Sequence, residues 1–259
     1  MGPLYFKPWR RTDRKSFVET EKFLIEEIRS HKKRQLKLCL VGHTEAGKSS
    51  FINSVFSVSR GKTADMKNVK IDTVDSIGTH RFLLLKTRRD LFAHTKIYDT
   101  LGLTGNANDK DYGLAAIELP RICEGHVQPG HLFHMDSSTD ADEHYCVVFV
   151  ISANVLDGIH GSEPSILCNK ILHLHKAVPD DVSQIIVITK CDEVCMKTKE
   201  LIENIFYSKK IHQLVKKAVR VFGIPQCRVF PVVNYVDQTK IDHKLNVPIL
   251  YALLNALDF

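Results

Sequence analysis

The sequence predicts an α/β fold with a doubly wound, mostly parallel β-sheet and helices on both faces. Apolar runs at 145–151 and 185–188 show no polar alternation, as is typical of strands buried on both faces of a parallel sheet. A glycine-bearing loop at 42–49 separates an apolar run from a helical pattern. Strand-like and helix-like segments alternate along most of the 259 residues, which favours right-handed crossovers within one large domain.

The N-terminal half begins with a helical pattern. Apolar residues recur at helical spacing over 15–30, so we expect an amphipathic helix that packs on the side of the domain. The elements that follow are a strand at 36–41, a helix at 50–56, and strands at 81–85 and 96–98.

The C-terminal half alternates in the same way. Residues 164–177 can form a helix between the two buried runs, and the pattern over 198–222 predicts one long helix that stops at Gly223. A further strand is predicted at 229–233, where Pro231 favours an edge or a strand end, and a short helix at 248–257.

The loop at 42–49 reads Gly-His-Thr-Glu-Ala-Gly-Lys-Ser and fits the pattern G-x-x-x-x-G-K-[ST]. In such a loop the glycines let backbone N–H groups surround a phosphate, the lysine reaches the outer phosphates, and the hydroxyl holds Mg²⁺. The magnesium ligand here is Ser49. The predicted phosphate-binding residues of this segment are Gly42, Thr44, Glu45, Ala46, Gly47, Lys48, Ser49 and Ser50.

A second motif, Asp99-Thr100-Leu101-Gly102, follows the strand at 96–98. The Asp99 carboxylate can reach Mg²⁺ directly or through water, and the Gly102 N–H can contact a γ-phosphate. We therefore predict Asp99 as a metal ligand and Gly102 as a phosphate contact.

The third motif, Thr189-Lys190-Cys191-Asp192, follows the buried run at 185–188. A carboxylate at Asp192 can accept two hydrogen bonds from the N1–H and amine of guanine, whereas adenine lacks that pair of donors. The stem of Lys190 can cover the base. Asn234, at the end of the last strand, offers a side chain or a backbone N–H to the base oxygen. The predicted guanine-binding residues are Thr189, Lys190, Asp192 and Asn234.

In this order the three motifs resemble those of the translation-factor-related GTPases, whose fold is the P-loop G domain. More narrowly, the chain resembles the interferon-induced protein 44 and 44-like family through Lys7-Pro8-Trp9-Arg10, the stretch 46–55 and the run 232–235. The resemblance implies GTP or GDP with Mg²⁺ as cofactors and a cytoplasmic, interferon-linked role in innate immunity, of an antiviral or antiproliferative kind. It also assigns the switch threonine that closes over Mg²⁺ to Thr73, with Thr79 as second choice.

The predicted domain organisation follows from these assignments. Residues 1–34 form an N-terminal basic segment with the amphipathic helix, and residues 35–259 form the G domain. The stretch at 105–144 interrupts the alternation of strands and helices, contains a plausible helix near 114–122, and is predicted to be an insertion. The polar connection at 59–80 is interpreted as a nucleotide-sensing loop.

Three positions depart from an efficient GTPase. Leu103 stands where small GTPases place a water-orienting glutamine, so we expect slow hydrolysis unless another residue, or a second copy across the nucleotide face, supplies that function. Thr189 stands where asparagine is commoner in guanine-binding motifs. We therefore expect the loss of a side-chain amide that would join the guanine-binding segment at 189–192, the guanine loop, to the phosphate loop. Glu45 adds a negative charge near the phosphates, and we expect its side chain to point to solvent.

The composition limits the classes of protein to which the chain can belong. The longest apolar run is far short of the roughly 20 residues of a spanning helix. Seven cysteines without framework spacing are typical of a reducing compartment, so a cytoplasmic protein is expected. The formal charge of +6 arises within residues 1–37, and no aromatic interleaving there supports nucleic-acid binding. A metal site formed by Cys123, His126, His131 and His134 is an alternative, although their spacing matches no standard zinc pattern.

The function predicted from these observations is a Mg²⁺-dependent guanine-nucleotide-binding protein with slow or dimerisation-dependent GTP hydrolysis. Two alternatives stay open. In the first, the chain is a scaffold without catalysis, with or without nucleotide, and the basic N-terminus and the 105–144 insertion bind partner proteins. In the second, it is an ATP-driven P-loop enzyme in which Asp192 is incidental.

Overall fold

The computed structural model describes residues 4–5, 7–10, 16–31, 37–61, 83–86, 96–100, 102–104, 118–124, 126, 146–159 and 165–257. The strands are β1 (Lys37–Gly42), β2 (Leu83–Lys86), β3 (Lys96–Asp99), β4 (Cys146–Ser152), β5 (Ser183–Thr189) and β6 (Val229–Pro231). The helices are α1 (Phe17–Ser30), α2 (Lys48–Arg60), α3 (Glu118–Cys123), α4 (Ala153–Asp157), α5 (Ile166–Ala177), α6 (Cys191–Val194), α7 (Met196–Glu200), α8 (Lys209–Phe222) and α9 (His243–Leu257), with 3₁₀ turns at Ile202–Phe206 and Gln226–Arg228.

The six strands form one sheet in the order β2-β3-β1-β4-β5-β6. All neighbouring pairs are parallel except β2 with β3, which is antiparallel. From β1 the chain moves outward to β3 on one side and, through β4, to β5 and β6 on the other. The order of the strands therefore reverses at β1, and the crevice beside the carboxyl end of β1 is where such sheets bind ligands.

This reversal also explains why helices cover both faces. Right-handed crossovers that run in opposite directions along a sheet place their helices on opposite sides. In one group α2 packs against β1, β3 and α9, and α1 packs against α9; in the other, α8 packs against β6, α4 and α5. The predicted doubly wound sheet, mostly parallel and covered on both faces, is confirmed.

The prediction of one helix over 198–222 is wrong. Helix α7 ends at Glu200, and Leu201 then adopts an extended backbone with φ −138° and ψ 107°. After the 3₁₀ turn, α8 begins behind Ser208, whose hydroxyl accepts a hydrogen bond from the Ile211 N–H at 3.2 Å. The pattern of apolar residues is continuous across these breaks, but the backbone is not.

The physical reason lies in the described N-terminal residues 4–5 and 7–10, which together we call the strap. The indole Nε1 of Trp9 donates to Ile205 O at 3.1 Å, and the Trp9 N–H donates to Phe206 O at 2.9 Å. The Tyr5 N–H donates to Tyr207 O at 2.7 Å. These carbonyls therefore bind the strap instead of the amides of a continuous helix.

The strap ends at the last strand of the sheet. The Arg10 guanidinium donates to Val229 O at 2.7 Å and lies over the Phe230 ring, 4.7 Å from its centroid. Burial lowers the pKa of Arg10 to about 10. As Pro231 predicted, β6 is an edge strand within the described sheet.

Helix α9 begins five residues earlier than predicted and contains Pro248 inside it. Asp242 starts the helix, because its carbonyl accepts hydrogen bonds from Leu245 and Asn246 and its carboxylate accepts one from the Lys244 N–H at 2.8 Å. Proline is common in a first helical turn, but here it stands further in and removes one backbone hydrogen bond.

Several predictions on organisation stay predictions. The boundary between the 1–34 segment and the 35–259 domain falls outside the described residues, as do most of the 105–144 insertion and the 59–80 connection beyond residue 61. The described part of the chain contains no helix with the length and apolar character needed to cross a membrane.

Candidate nucleotide-binding site

The three motifs meet at the carboxyl ends of β1, β3 and β5. Gly42 ends β1 against β4, and a Cβ built there would lie 2.1 Å from the Val150 carbonyl oxygen. Only glycine permits that approach. The chain then turns through residues 43–47 into α2, whose N-terminal N–H groups and helix dipole favour an anion.

Two residues of the loop have left-handed backbones. Gly47 has φ 86° and Glu45 has φ 63°, a conformation that costs a non-glycine residue about 1–2 kcal/mol. The Glu45 side chain is exposed, as expected, while Ala46 is buried. Ser50 lies in the first turn of α2, where its carbonyl accepts a hydrogen bond from the Ser54 hydroxyl.

Lys48 is buried inside the loop. Its Nζ donates to the carbonyl oxygens of Gly42 at 3.2 Å and His43 at 3.1 Å. Desolvation lowers the pKa of Lys48, and the negative charge of Asp99 opposes that shift. A lysine held in this way is a cation that lacks a full countercharge, which a phosphate would supply.

Asp99 lies beside Ser49 at the end of β3. The Ser49 hydroxyl donates to Asp99 Oδ2 at 3.3 Å, whereas Oδ1 is buried without a hydrogen-bond partner among the described residues. Desolvation raises the pKa of Asp99, opposed by the Lys48 charge, the Ser49 hydroxyl and the Thr100 N–H. A buried, unpartnered carboxylate oxygen next to a hydroxyl fits a hard cation such as Mg²⁺.

The residues that follow Asp99 lie directly on the phosphate loop. The Leu103 N–H donates to Gly42 O at 3.1 Å, and the Thr44 N–H donates to Leu103 O at 2.8 Å. The Leu103 side chain is 4% exposed and belongs to the core. At Gly102 a Cβ would lie 2.7 Å from Thr44 Oγ1, so this glycine is in close contact with the loop.

Thr189 does connect the guanine loop to the phosphate loop, contrary to the expectation from its sequence. The Thr189 hydroxyl donates to the Ala46 carbonyl and so joins the guanine loop to the phosphate loop. The Asn234 side chain makes a parallel link, since its Nδ2 donates to Gly47 O at 3.3 Å. Its Oδ1 lies 3.4 Å from the Ser54 hydroxyl oxygen, so this side chain contacts both the loop and α2, and its predicted contact with a base stays a prediction.

Lys190 and Asp192 follow Thr189 in the chain. Lys190 has a left-handed backbone, with φ 57°, and its Nζ lies 3.7 Å from Glu193 Oε1. The Asp192 side chain is partly buried, accepts a hydrogen bond from its own N–H, and forms no ion pair within the described part of the chain. Desolvation raises its pKa, with a smaller contribution from the Glu193 charge. The Asp192 carboxylate can therefore accept further hydrogen bonds.

The contacts of one further side chain of the loop, that of His43, were not predicted from the sequence. His43 is 5% exposed, accepts a hydrogen bond on Nε2 from the Ser152 N–H at 3.1 Å, and has Nδ1 2.7 Å from Thr44 O. These partners define a neutral imidazole that donates from Nδ1 and joins the loop to the end of β4. Position 43 is variable in the motif pattern, so no signal in the sequence marked it.

The remaining predicted residues lie elsewhere. Thr73, Thr79, His131 and His134 fall outside the described residues. Cys123 is buried in α3, and the exposed His126 pairs with Glu124 at 3.3 Å. All seven cysteines are free thiols, and Cys227 is exposed.

The architecture is similar to that of solved structures of Toc33 from Arabidopsis thaliana. The form in complex with Mg²⁺ and GMPPNP has a TM-score of 0.52 and 14% identity, and the match covers 93% of this chain and 91% of that one. The form in complex with GDP and Mg²⁺ gives 0.51 and 15%, and a dimerisation-deficient mutant gives 0.51 and 14%. The fold is that of a G domain. At this identity the likeness extends to the fold alone.

The resemblance to the interferon-induced protein 44 group is also confirmed in the curated proteins. Interferon-induced protein 44-like of Homo sapiens is 24% identical over 253 residues, which are 90% of this chain and 54% of that protein. Interferon-induced protein 44 of Mus musculus is 28% identical over 253 residues, 90% of this chain and 58% of that protein. The chain therefore spans little more than half the length of these relatives. No family model matches the sequence.

Proposed function

We propose that this chain binds guanine nucleotides together with Mg²⁺ and hydrolyses GTP slowly, or efficiently only when two copies associate across the nucleotide face. The proposal is supported most by the bond from Thr189 to Ala46. Because that bond joins the two loops, Asp192 stands at a fixed position relative to the phosphate loop, as a reader of the base must.

The metal would be held by Ser49 and Asp99, which already share a hydrogen bond. When bound, Mg²⁺ would neutralise charge on the β- and γ-phosphates. The chain's own contribution is electrostatic, since Lys48 and the N-terminus of α2 both present positive potential to the phosphates. Thr73 stays a proposed further ligand.

Slow hydrolysis is supported by the position of Leu103. Its apolar side chain is buried and its backbone is paired with Gly42 and Thr44, so this residue does not orient water. A second copy would have to supply that group. GTP turnover measured against protein concentration tests this point: specific activity that rises with concentration supports catalysis by association, and a constant value contradicts it.

The guanine assignment is tested by titration of the purified chain with labelled GTP, GDP and ATP in the presence of Mg²⁺. We expect GTP and GDP to bind at least about 100-fold more tightly than ATP, because the wrong base leaves Asp192 unpaired. Asp192→Asn should reduce that preference by about tenfold or more. Glu200→Gln, which removes the same charge from an exposed residue at the end of α7, is the control and should preserve it.

Equal affinity for GTP and ATP would contradict the guanine assignment and favour an ATP-driven enzyme. Lys48→Ala tests the scaffold alternative, because this substitution should abolish nucleotide binding. A scaffold that does not use nucleotide would bind its partner proteins equally well with and without GTP.

The names of the curated relatives support an interferon-linked role, which we further propose for this chain. The resemblance and the seven free cysteines support a cytoplasmic location and a role in innate immunity, which we also propose. Transcript levels measured before and after interferon treatment test the first part, and imaging of the tagged chain tests the second. Unchanged transcript levels would contradict the interferon link and leave the nucleotide proposal intact.

A further inference from the structure

The segment that follows Asp99 closes onto the phosphate loop through three contacts, which together we call the clasp. Two are the backbone hydrogen bonds between Leu103 and the loop residues Gly42 and Thr44, at 3.1 and 2.8 Å. The third is the packing of Gly102 on Thr44. The Leu103 pairing extends the loop as an isolated parallel bridge beside His43.

A hydrogen bond from α5 and the burial of the Leu103 side chain stabilise the clasp. Lys170 on α5 donates from Nζ to the Thr104 carbonyl at 2.9 Å, and the Leu103 side chain is anchored in the core. The contacts therefore join the loop, the D-x-x-G segment and α5. A ligand that separates the loop from Gly102 has to break the clasp, whereas a ligand that lies along the loop and α2 does not.

The space inside the clasp is too small for a phosphoryl group. A Cβ at Gly102 would lie 2.7 Å from Thr44 Oγ1 and 3.0 Å from both Thr44 N and Thr44 Cα. A phosphoryl group is larger than a methyl group. The Thr44 N–H, moreover, already donates to Leu103 O and is not available to an anion while the clasp is closed.

In the proposed complex the third phosphate of a nucleotide would lie in this place. The metal would be held by Ser49 and Asp99, and Gly102 is three residues beyond Asp99. The second phosphate, in contrast, would lie on the N-terminus of α2 and on Lys48, which the clasp leaves open.

We propose that the clasped conformation is a diphosphate-selective state: it accepts guanosine diphosphate, and the γ-phosphate of GTP binds only when the pairing of Leu103 with Thr44 breaks. This inference rests on the proposed guanine-nucleotide binding. It makes Thr44 and Gly102 the residues that set the preference for GDP over GTP, and it assigns α5 a part in that preference through Lys170.

Gly102→Ala tests whether the clasp can be opened from within. The backbone at Gly102 is not left-handed, so alanine is conformationally permitted there, but its Cβ collides with Thr44 and opens the clasp. With GDP bound, we expect the Thr44 and Leu103 amides to exchange about tenfold or more faster in this variant than in the wild-type chain. The added methyl group also lies where the γ-phosphate would bind, so the preference between GTP and GDP is tested at Lys170, which is outside that place.

Lys170→Met provides a second variant outside the nucleotide site. Loss of the bond to Thr104 O should raise the ratio of GTP-analogue affinity to GDP affinity by about threefold or more, and Lys170→Arg should restore the wild-type value. Lys176→Met, at an exposed lysine of the same helix, is the control and should leave the ratio unchanged. If Gly102→Ala does not fold, the Lys170 pair still decides the outcome.

Affinities are measured by titration of the chain with labelled GDP and with a non-hydrolysable GTP analogue, each with Mg²⁺. Hydrogen exchange of the Thr44 and Leu103 amides gives an independent readout, because both should be protected with GDP and exchange faster with the analogue. A ratio that falls or stays constant in Lys170→Met, or equal exchange of the two amides with GDP and with the analogue, overturns the clasp and leaves guanine binding intact. Failure of the wild-type chain to bind either nucleotide overturns both proposals.

Discussion

At the scale of single residues, His43 shows how a variable position of a motif can determine the state of the loop. Its imidazole accepts from Ser152 and faces the Thr44 carbonyl, so both of its nitrogens are used in the neutral form. A second proton on the ring would place a donor against the Ser152 N–H. Desolvation lowers the pKa of His43, and the nearby charges of Lys48 and Lys190 lower it further.

The sign of the resulting pH dependence follows from linkage. A histidine whose pKa is lower in the folded state than the value of about 6.5 in the unfolded state binds fewer protons when folded. Its contribution to the free energy of unfolding is complete above about pH 6.5 and is lost as the pH falls below that value. Urea denaturation at pH 7.5 and pH 5.5 should therefore show lower stability at the acidic pH.

His43→Gln separates this residue from the other histidines. Glutamine keeps an acceptor for the Ser152 N–H but does not titrate, so we expect a smaller stability difference between the two pH values. His126→Gln, at a histidine whose side chain is 45% exposed, should keep the wild-type difference. Equal differences in all three proteins would mean that His43 is not the group that titrates.

Thr189 shows where prediction at the residue scale ends. The order of the motifs placed Thr189, Asp99 and Lys48 at one edge of the sheet, because parallel strands end together. The sequence did not reveal that the threonine hydroxyl reaches Ala46, which is 143 residues away along the chain. A preference for asparagine at this position describes other loops, whereas the hydrogen bond depends on the distance between two loops in this molecule.

At the scale of elements, a buried polar network joins the site to the helices on one face. The Tyr235 N–H donates to Ser54 Oγ in α2, and the Tyr235 hydroxyl lies 2.7 Å from Asn246 Oδ1 in α9. Asn246 in turn donates from Nδ2 to Glu21 Oε1 in α1 at 3.0 Å, and His243 pairs with the same carboxylate. Helix α1 is thereby connected to the end of β6 and to the phosphate-loop helix.

Tyr235→Phe should destabilise the chain by about 1–3 kcal/mol, because it leaves the Asp242 N–H and Asn246 Oδ1 without their partner in a buried place. Chemical denaturation measures this change. Tyr207→Phe is the matched control, since the hydrogen bonds described for Tyr207 are made by its backbone, and it should cost less than about 0.5 kcal/mol. Equal effects of the two substitutions would contradict a stabilising role for the network.

The elements that were predicted correctly and those that were not differ in a physical way. Buried parallel strands such as β4 and β5 leave a continuous apolar signal, and the helical period marks α1, α2 and α5. The break at Leu201 has no such signal, because the strap that stabilises it lies about 200 residues away in sequence. The predicted start of α9 at residue 248 is too late, because Asp242 accepts the hydrogen bonds of the first helical turn and the helix begins directly after it.

At the scale of the whole molecule, nucleotide binding and the free energy of unfolding are linked. A ligand that binds only the folded state at 100 times its Kd adds about 2.7 kcal/mol to the free energy of unfolding. For a chain of this length that corresponds to a rise in Tm of roughly 5–10 °C. We expect this rise with saturating GDP and Mg²⁺, measured by thermal unfolding.

Lys48→Ala should remove the rise in Tm, since it deletes the charge that faces the phosphates, whereas an exposed substitution such as Lys216→Ala should preserve it. The Tm of each variant without nucleotide is the reference for its own shift. A GDP-dependent rise of the same size in Lys48→Ala would show that the stabilisation does not come from the phosphate loop.

The strap has one more consequence for the whole molecule, which concerns how copies can associate. In a parallel strand alternate residues face the same neighbour, and the Val232 N–H bonds Ile188 on β5, so Val229 and Pro231 face outward. Proline offers no amide there, and the outward carbonyl of Val229 is already bonded to Arg10. A further strand would find neither a full donor row nor the Val229 acceptor at β6. Assembly by sheet extension is thus disfavoured at this edge, and a pairing of two chains is favoured on another surface.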